Sequence, residues 1–242
     1  MQEKLKVITI GDYNISILKN YFKDNENIEF LKLALDESIE NLNTDFSKRD
    51  IVFLRTNAEN LEKLLEVGKA LKEKEIITVT ILEEKLAIEN KEVLENSIDT
   101  IFPVNKKDDI ENLFLELIKM IYNIIFERCY INLDVEDVKS MLRNSGITIF
   151  GRLNINKTIS EEDIIKNISY PFYPKNLKDS KKLLIFLNTL EGFILTEGEL
   201  ITDTLRNESG KTIEDVLFSI RMANRLKNRI ECSFIAGLFK ER

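Results

Sequence analysis

The sequence predicts an α/β protein with a doubly wound, mainly parallel sheet, then one long central helix, then a smaller α+β domain. Two observations support this class. Apolar runs without polar alternation recur between helix-like segments in residues 1–107, which is typical of parallel strands covered by helices on both faces. After residue 130, the last strand-like segments alternate apolar and polar side chains, as half-exposed strands do. The predicted domain boundaries are therefore 1–107, 108–130 and 131–242.

The first segment contains five strand-like runs separated by helix-like ones. "LKVITIG" ends at Gly11 and is followed by Ile15, Leu18 and Phe22 at helical spacing, after which "IEFLKLAL" forms a second apolar run. "DIVFL" precedes the helix-like "AENLEKLLEVGKALKEK", and "IITVTIL" and "TIFPV" lie on either side of a short helix-like segment. This repeated order of strand and helix predicts a parallel sheet.

The middle segment predicts the long central helix. From residue 108 to residue 128 the chain reads "DDIENLFLELIKMIYNIIFER", and its apolar residues cover more than half of the helical circumference. A helix this apolar has to be covered on several sides. We therefore expect it to lie between two sheet domains.

The last segment predicts two capped helices and four strands. "ITIFGRL" and "KKLLIFLN" are strand-like, and between them "SEEDIIKNI" carries a capping box at Ser160 and Asp163. "TEGELITDTLRN" predicts a second helix, capped by Thr196 and Glu199. Alternation in "VLFSI" and "IECSFIA" predicts a closing pair of strands joined by the basic loop "RMANRLKNR".

The composition argues against several classes of protein. A net charge of -7 and a sequence pI near 5.0 disfavour a general nucleic-acid binder, because such proteins concentrate Lys and Arg. The two cysteines, Cys129 and Cys232, have neither zinc-ligand spacing nor a disulfide-rich context. No apolar segment approaches the roughly 18 residues of a membrane span, and the start of the chain does not resemble a signal peptide. We therefore expect a cytoplasmic protein with no metal and no nucleic-acid partner.

The predicted parallel sheet lacks the glycine-rich loop that commonly holds a phosphate. Across residues 1–145 the only glycines are Gly11 and Gly68, and Asp12 directly after the first strand would repel an anion. A phosphate could still be bound through helix amides and one guanidinium. The residues available for this are Asn14, Ser16, Arg55, Thr56 and Asn57. Helix capping by Asn and Ser is the competing interpretation.

One polar loop remains, "YINLDVEDVKSML" from Tyr130 to Leu142, which follows the long helix. It contains Asn132, Asp134 and Asp137. Their spacing by itself favours a structural role, because carboxylates at the last two positions would cap the helix that follows. The surroundings of the loop indicate a second interpretation.

The order of these segments resembles the FtsZ and tubulin superfamily of filament-forming GTPases, specifically bacterial FtsZ. The resemblance is strongest in "INLDVEDVKSML", which is similar to the family's Asn-Leu/Val-Asp-Phe-x-Asp-Val run and the helix after it. "NISYPFYP" is similar to the family's "ISSPLL" segment, and "FSIRMANRLKNRIECSFIAGL" to its closing strand pair. "DIVFL" and "EKEIITVTIL" resemble the strands beside the family's glycine loop. The resemblance implies an FtsZ/tubulin-like fold over nearly the whole chain.

In FtsZ-like filaments this loop enters the nucleotide pocket of the neighbouring subunit. The resemblance implies that Asn132, Asp134 and Asp137 act only in trans, with the two carboxylates directing the water that attacks the γ-phosphate. It also implies the partners: a complete FtsZ, or further copies of this chain associating head to tail. Such an assembly would belong to the cytoskeleton of bacterial cell division and would contain GTP or GDP.

The sequence departs from the family in the nucleotide-holding half of that shared site. "RTNAEN" replaces the family's "GGGTGTG" loop, and on the central helix Asn112 is the only plausible polar stand-in for the family's base-reading Asp. The chain also lacks the family's terminal peptide for membrane tethers, so we expect no direct membrane anchor. The favoured hypothesis is a degenerate GTPase that binds no cofactor alone and acts by protein–protein association. The alternatives are a minimal self-assembling GTPase, and a scaffold in which the two carboxylates only cap a helix.

Overall fold

The computed structural model describes residues 3–42, 44–105, 109–156, 159–171, 176–178, 180–210 and 213–237. The chain forms two compact units, Met1–Ile118 with Leu142–Ile147 and Lys119–Met141 with Thr148–Arg242. These are named unit 1 and unit 2. The predicted boundaries after residues 107 and 130 stay a prediction. Residues 107 and 108, the end of "NISYPFYP" and the last residue of "FSIRMANRLKNRIECSFIAGL" lie outside the described residues.

Unit 1 is built on a parallel sheet, as the sequence predicts. Its strands are β1 (Leu5–Ile10), β2 (Ile28–Leu33), β3 (Ile51–Thr56), β4 (Ile77–Glu83) and β5 (Thr100–Val104). They lie in the order β2-β1-β3-β4-β5, and all pairs between them are parallel. β1, β3 and β5 are buried along their whole length, because apolar side chains on both faces are covered. The expectation of full burial is wrong for β2, which is partly exposed because it is an edge strand.

The helices of unit 1 begin and end close to the predicted positions. They are α1 (Ser16–Tyr21), α2 (Leu61–Glu73), α3 (Glu84–Glu89) and α4 (Lys91–Ser97). Leu64, Val67 and Leu71 of α2 are buried, at the spacing of one helical face. At Gly68 of the same helix, an added Cβ would lie 2.8 Å from the carbonyl oxygen of Ser97. This glycine therefore serves the packing of α2 against the end of α4.

The long helix predicted for the middle of the chain is α5 (Ile110–Phe126), with 17 residues. Its residues 110–118 belong to unit 1 and its residues 119–126 to unit 2. Phe114, Leu117, Ile118 and Ile121 are completely buried, as expected for a helix that is apolar on several sides. In the described ranges, neither α5 nor any other helix is long and apolar enough to cross a membrane.

Unit 2 contains a mixed sheet. Its strands are β6 (Gly146–Ile155), β7 (Lys182–Thr189), β8 (Asp215–Met222) and β9 (Ile230–Gly237), in the order β6-β9-β7-β8. The predicted pairing of the last two strands is wrong, because β7 lies between them, parallel to β8 and antiparallel to β9. A helix connects β7 to β8 and returns the chain to the edge of the sheet at which β7 begins. β8 therefore runs parallel to β7. β9 then pairs with both β6 and β7.

The remaining helices are α6 (Val135–Leu142), α7 (Glu161–Asn167) and α8 (Leu195–Ser209). The predicted cap of α7 is confirmed, since the Ser160 hydroxyl oxygen accepts the N–H of Asp163 at 3.2 Å. Together with the parallel sheet of unit 1, the long helix and the mixed unit 2, these elements confirm the predicted fold class.

The predicted cap of α8 at Thr196 and Glu199 is wrong. The helix begins after Ile194, whose N–H is bound by the carboxylate of Glu197 at 3.3 Å. Both carboxylate oxygens of Glu197 also accept hydrogen bonds from the guanidinium of Arg229. This two-point ion pair holds Glu197 in place, and it lowers the pKa of that carboxyl below its usual value.

Candidate functional site

The strand order of unit 1 reverses between β1 and β3, and ligands of open parallel sheets bind at the carboxyl ends of the strands at such a point. The chain leaves β1 through Gly11, Asp12 and Tyr13, and it leaves β3 through Asn57. This place is named the switch point. It is where a nucleotide site is expected in a doubly wound sheet.

The side chain of Arg55, near the end of β3, occupies the switch point and is only 5% exposed. Its Nη1 donates to the carbonyl oxygens of Thr56 at 3.0 Å and Ile81 at 3.2 Å. Its Nη2 donates to the hydroxyl of Tyr13. The guanidinium also lies over the Tyr13 ring, 4.1 Å from the ring centroid. Both terminal nitrogens of Arg55 are therefore bound within the protein.

Glu111, in the first turn of α5, completes what is named the Arg55 cluster: Arg55, Tyr13 and Glu111. The Glu111 carboxylate lies close enough to Tyr13 and to Arg55 to shift the pKa of both side chains. Within the described residues, Nε of Arg55 and Oε2 of Glu111 have no hydrogen-bond partner. The cluster therefore balances a buried cation with a nearby carboxylate, as a buried charge requires.

Burial dominates the protonation behaviour of this cluster. Burial raises the pKa of Tyr13 to about 12, with the charge of Arg55 opposing the rise and Glu111 adding to it. Burial also lowers the pKa of Arg55, against the favourable charges of Tyr13, Glu111 and Glu83. At neutral pH the Tyr13 side chain is therefore neutral.

We expect two tyrosines to titrate late, Tyr13 and Tyr170, because burial raises the pKa of each to about 12. Tyrosines of the unfolded chain lose their protons near pH 10, so the free energy of unfolding should fall as the pH rises from about 10 to about 12. Ultraviolet absorbance of the phenolate during a pH titration measures this. Tyr13→Phe should remove one late transition and leave that of Tyr170. Titration of every tyrosine near pH 10 would contradict the burial argument.

The other residues predicted to bind a phosphate serve local structure. Oδ1 of Asn14 accepts the N–H of Ser16, the first residue of α1, at 2.9 Å, whereas the N-cap position itself is Ile15 and has no side-chain cap hydrogen bond. Nδ2 of Asn57 donates to the carbonyl oxygen of Asp12 at 3.4 Å, and the Asp12 carboxylate pairs with Lys32 at 2.7 Å. The polar groups of this loop therefore bind one another.

The second candidate site is the loop before α6 in unit 2. Asp134 and Asp137 cap each other: Oδ1 of Asp134 accepts the N–H of Asp137 at 2.8 Å, and Oδ2 of Asp137 accepts the N–H of Asp134 at 3.0 Å. Oδ1 of Asn132 accepts the N–H of Cys129 at 3.1 Å. All three predicted site residues thus take part in backbone hydrogen bonds of the loop.

The cap leaves one oxygen of each carboxylate available. Oδ2 of Asp134 and Oδ1 of Asp137 have no hydrogen-bond partner in the part of the chain that the structure describes. Asp134 is exposed and Asp137 is half-buried. Among the described residues there is no group of three or more potential metal ligands. The loop can therefore present two carboxylate oxygens to another molecule without losing its cap.

Replacing Asp134 with alanine should lower the free energy of unfolding by about 1 kcal/mol, because the N–H of Asp137 loses its acceptor. Asp134→Asn keeps an oxygen at the same position and should change stability by only a few tenths of a kcal/mol. Urea unfolding of the two variants measures the difference. An equal loss in both would be evidence against the cap.

Asn112, the predicted stand-in for the base-reading residue, lies in the first turn of α5. Its backbone N–H donates to the Asp109 carboxylate at 3.2 Å, and its side-chain amide donates to the same carboxylate. The Asn112 amide therefore takes part in the N-terminal cap of the helix.

No protein-family profile matches this chain, and no curated protein matches it in sequence. Solved structures do match. An empty FtsZ dimer from M. jannaschii gives a TM-score of 0.71 at 15% identity, covering 98% of this chain and 88% of that one. An FtsZ mutant from M. jannaschii gives a TM-score of 0.70 at 14% identity, covering 97% of this chain and 91% of the mutant. A GTPγS-form TubZ protofilament of Bacillus thuringiensis serovar israelensis gives a TM-score of 0.66 at 9% identity, covering 98% of this chain and 87% of the TubZ chain. The chain has an FtsZ/tubulin-like fold.

The FtsZ/tubulin-like fold confirms the resemblance that the sequence indicates, and the low identities agree with a divergent member of the fold. The sequence prediction did not include Tyr13 and Glu111 among the residues at the switch point. One signal could have indicated them. Arg55 is a charged residue in the otherwise apolar run "DIVFLRT", and a charge in a strand buried on both faces needs polar partners at the ends of neighbouring elements.

Proposed function

We propose that this protein is a non-canonical FtsZ-like subunit that acts by association with other proteins and does not bind or hydrolyse GTP alone. The observation that carries the proposal is the Arg55 cluster, which places a guanidinium bound by side chains and carbonyl oxygens of unit 1 at the switch point. Both terminal nitrogens of this guanidinium already bind Thr56, Ile81 and Tyr13, which disfavours a phosphate at the same place.

The association surface in this proposal is the loop of residues 132–137. Its carboxylates are held by the reciprocal cap of Asp134 and Asp137, so little conformational freedom is lost when a partner binds. One FtsZ structure of this fold is a dimer and the TubZ structure is a protofilament, which supports association between subunits. The partner is a complete FtsZ or a further copy of this chain, in the cytoplasm of a dividing bacterial cell.

Co-sedimentation with a complete bacterial FtsZ and GTP tests the proposal. The chain should enter the polymer pellet and change polymer mass, filament length or the GTPase rate. The double variant Asp134→Asn with Asp137→Asn keeps the cap acceptors but removes both charges, and it should weaken the effect about tenfold, or about 1.4 kcal/mol. If the unmodified chain leaves the polymer mass, filament length and GTPase rate of FtsZ unchanged, the proposal is wrong.

A matched control for charge comes from α7. Glu161→Gln with Glu162→Gln also removes two exposed carboxylates from unit 2, so it changes net charge equally. This variant should act on FtsZ as the unmodified chain does. If both double variants lose the effect equally, net charge rather than the loop is responsible, and the loop is not the association surface.

The alternative function is a minimal self-assembling GTPase, which the GTPγS-form TubZ protofilament of the same fold supports. Denaturing the purified protein and separating the released small molecules distinguishes the two. About one guanine nucleotide per chain would favour the enzyme and would contradict the role given to the Arg55 cluster.

A further inference from the structure

A groove with a volume of about 420 Å³ lies in unit 2 between α8 and the edge strand β8. Its floor is Ile220, which is only 1% exposed. Its walls include Leu195 at the start of α8 and Phe218 of β8, which are 49% and 37% exposed. The segment before α6 contributes Ile131. The groove is therefore apolar inside and open to solvent.

The outer edge of β8 already accepts an extended segment at one position. β8 is the last strand of the sheet order and pairs with β7 on its inner side. On its outer side, the N–H of Ile220 donates to the carbonyl oxygen of Ile131 and the N–H of Ile131 donates to that of Ile220, both at 3.3 Å. This is an isolated antiparallel bridge. The outer edge of β8 thus has the geometry that an antiparallel strand requires.

Two further positions of this edge are open. Alternate residues of a strand direct their backbone groups to the same side, so Val216 and Phe218 direct N–H and C=O outward as Ile220 does. Among the described residues, no group on that side pairs with either of them. After Ile131 the chain turns into α6 and does not continue along β8. An unpaired edge of this kind is a template for a further strand.

The rim of the groove is negatively charged. Glu199 and Asp203 lie one turn apart on α8, and both are exposed. In the part of the chain that the structure describes, neither carboxylate has an ion-pair or hydrogen-bond partner. The described residues that line the groove include no Lys or Arg. A segment that lies along β8 would therefore bind more favourably if the side chains on its α8-facing side were positively charged.

We propose that the outer edge of β8 binds an extended segment of another protein, antiparallel to β8, that alternates apolar residues with Lys or Arg on its α8-facing side. Its backbone would pair with Val216 and Phe218, an apolar side chain would enter the groove, and its cations would face Glu199 and Asp203. A second copy of β8 fits less well, because it carries the same carboxylates beside the same strand. This surface does not involve Asp134 or Asp137 and does not rest on the proposed function.

Fluorescence anisotropy with a labelled peptide of sequence GKTITKTVTKG tests the proposal, since one face of this peptide alternates Lys with Ile and Val. The dissociation constant should be about 10–100 μM, as for a short strand-adding peptide with few contacts. The same peptide N-methylated at its isoleucine and its valine lacks two backbone N–H groups that face β8, and GETITETVTEG has reversed charge. Each should bind at least about tenfold more weakly. No binding of the first peptide at about 1 mM would overturn the proposal.

Protein variants test the same surface from the other side. Glu199→Lys with Asp203→Lys should weaken the GKTITKTVTKG peptide at least about tenfold, whereas Glu161→Lys with Glu162→Lys makes the same charge change on α7 and should not. Val216→Pro removes an outward N–H that the β7–β8 ladder does not use, so it should weaken binding while circular dichroism stays unchanged. If Val216→Pro unfolds the chain, the N-methylated peptide still shows whether backbone pairing contributes to binding. Equal binding of the N-methylated peptide, or equal loss in the α7 variant, would contradict strand addition at β8.

Discussion

Replacing Arg55 with methionine is expected to lower the free energy of unfolding by about 3 kcal/mol. Methionine keeps an apolar stem, but the Tyr13 hydroxyl and the carbonyl oxygens of Thr56 and Ile81 lose their donor. The Glu111 carboxylate would also lose the cation beside it. A buried charge or polar group left without its partner is among the most destabilising changes a single mutation makes. Urea unfolding followed by circular dichroism measures the loss.

Lys32→Met is the matched control for this variant, because it removes a cation that pairs with Asp12 in the neighbouring loop but is 63% exposed. Exposed ion pairs contribute little, so this variant should unfold as the unmodified chain does. Tyr13→Phe removes one hydrogen bond of the cluster and should cost about 1 kcal/mol. If Arg55→Met is as stable as Lys32→Met, the cluster is not a structural unit, and the argument that it replaces a nucleotide weakens with it.

Replacing Gly151 with alanine is expected to destabilise unit 2 by about 3 kcal/mol or more. Gly151 of β6 lies directly opposite Phe234 of β9. The ring of Phe234 is completely buried and lies over the Cα of the glycine, so that an added Cβ would overlap three of its ring atoms. Phe234 also makes an edge-to-face contact with Tyr170, with centroids 6.1 Å apart, which restricts its movement. Thermal unfolding of the variant measures the effect.

A double variant tests the mechanism. Phe234→Leu alone should cost about 1–2 kcal/mol, because it removes buried ring surface. In the presence of Gly151→Ala the same change should be stabilising, because the smaller side chain makes room for the new methyl group. If the two losses instead add, steric overlap between these residues is not the cause of the destabilisation.

Much of the fold could be predicted because the relevant residues are close in sequence. Ser160 and Asp163, like Asp134 and Asp137, are three positions apart, and a helix start brings such residues together whatever the rest of the chain does. The apolar runs of β1 and β3 are buried on both faces in the structure. The spacing of Asp134 and Asp137 therefore indicated their cap as one of two interpretations, and the structure contains this cap, while the role of the loop toward a partner stays a proposal.

The switch point could not be predicted in the same way. Arg55 and Tyr13 are 42 positions apart, and Glu111 comes from a helix that begins after five strands. Nothing local in the sequence shows which carboxylate or hydroxyl would meet the buried guanidinium. The sequence indicated that the glycine loop is missing, but only the folded chain shows which side chains lie at the end of β3.

The sequence by itself determined the class of this protein, the positions of its main helices and strands, and the lack of a glycine-rich phosphate loop. Each of these depends on residue type and on periodicity over a few turns or strand residues. Tertiary structure decided that β7 separates β8 from β9, that Glu197 rather than Thr196 and Glu199 caps α8, and that Arg55 lies against Tyr13 and Glu111. Each of these three outcomes depends on contacts between residues that are far apart in the sequence. The free-energy difference between the alternative arrangements is therefore set by the packing of the whole chain and not by any one segment.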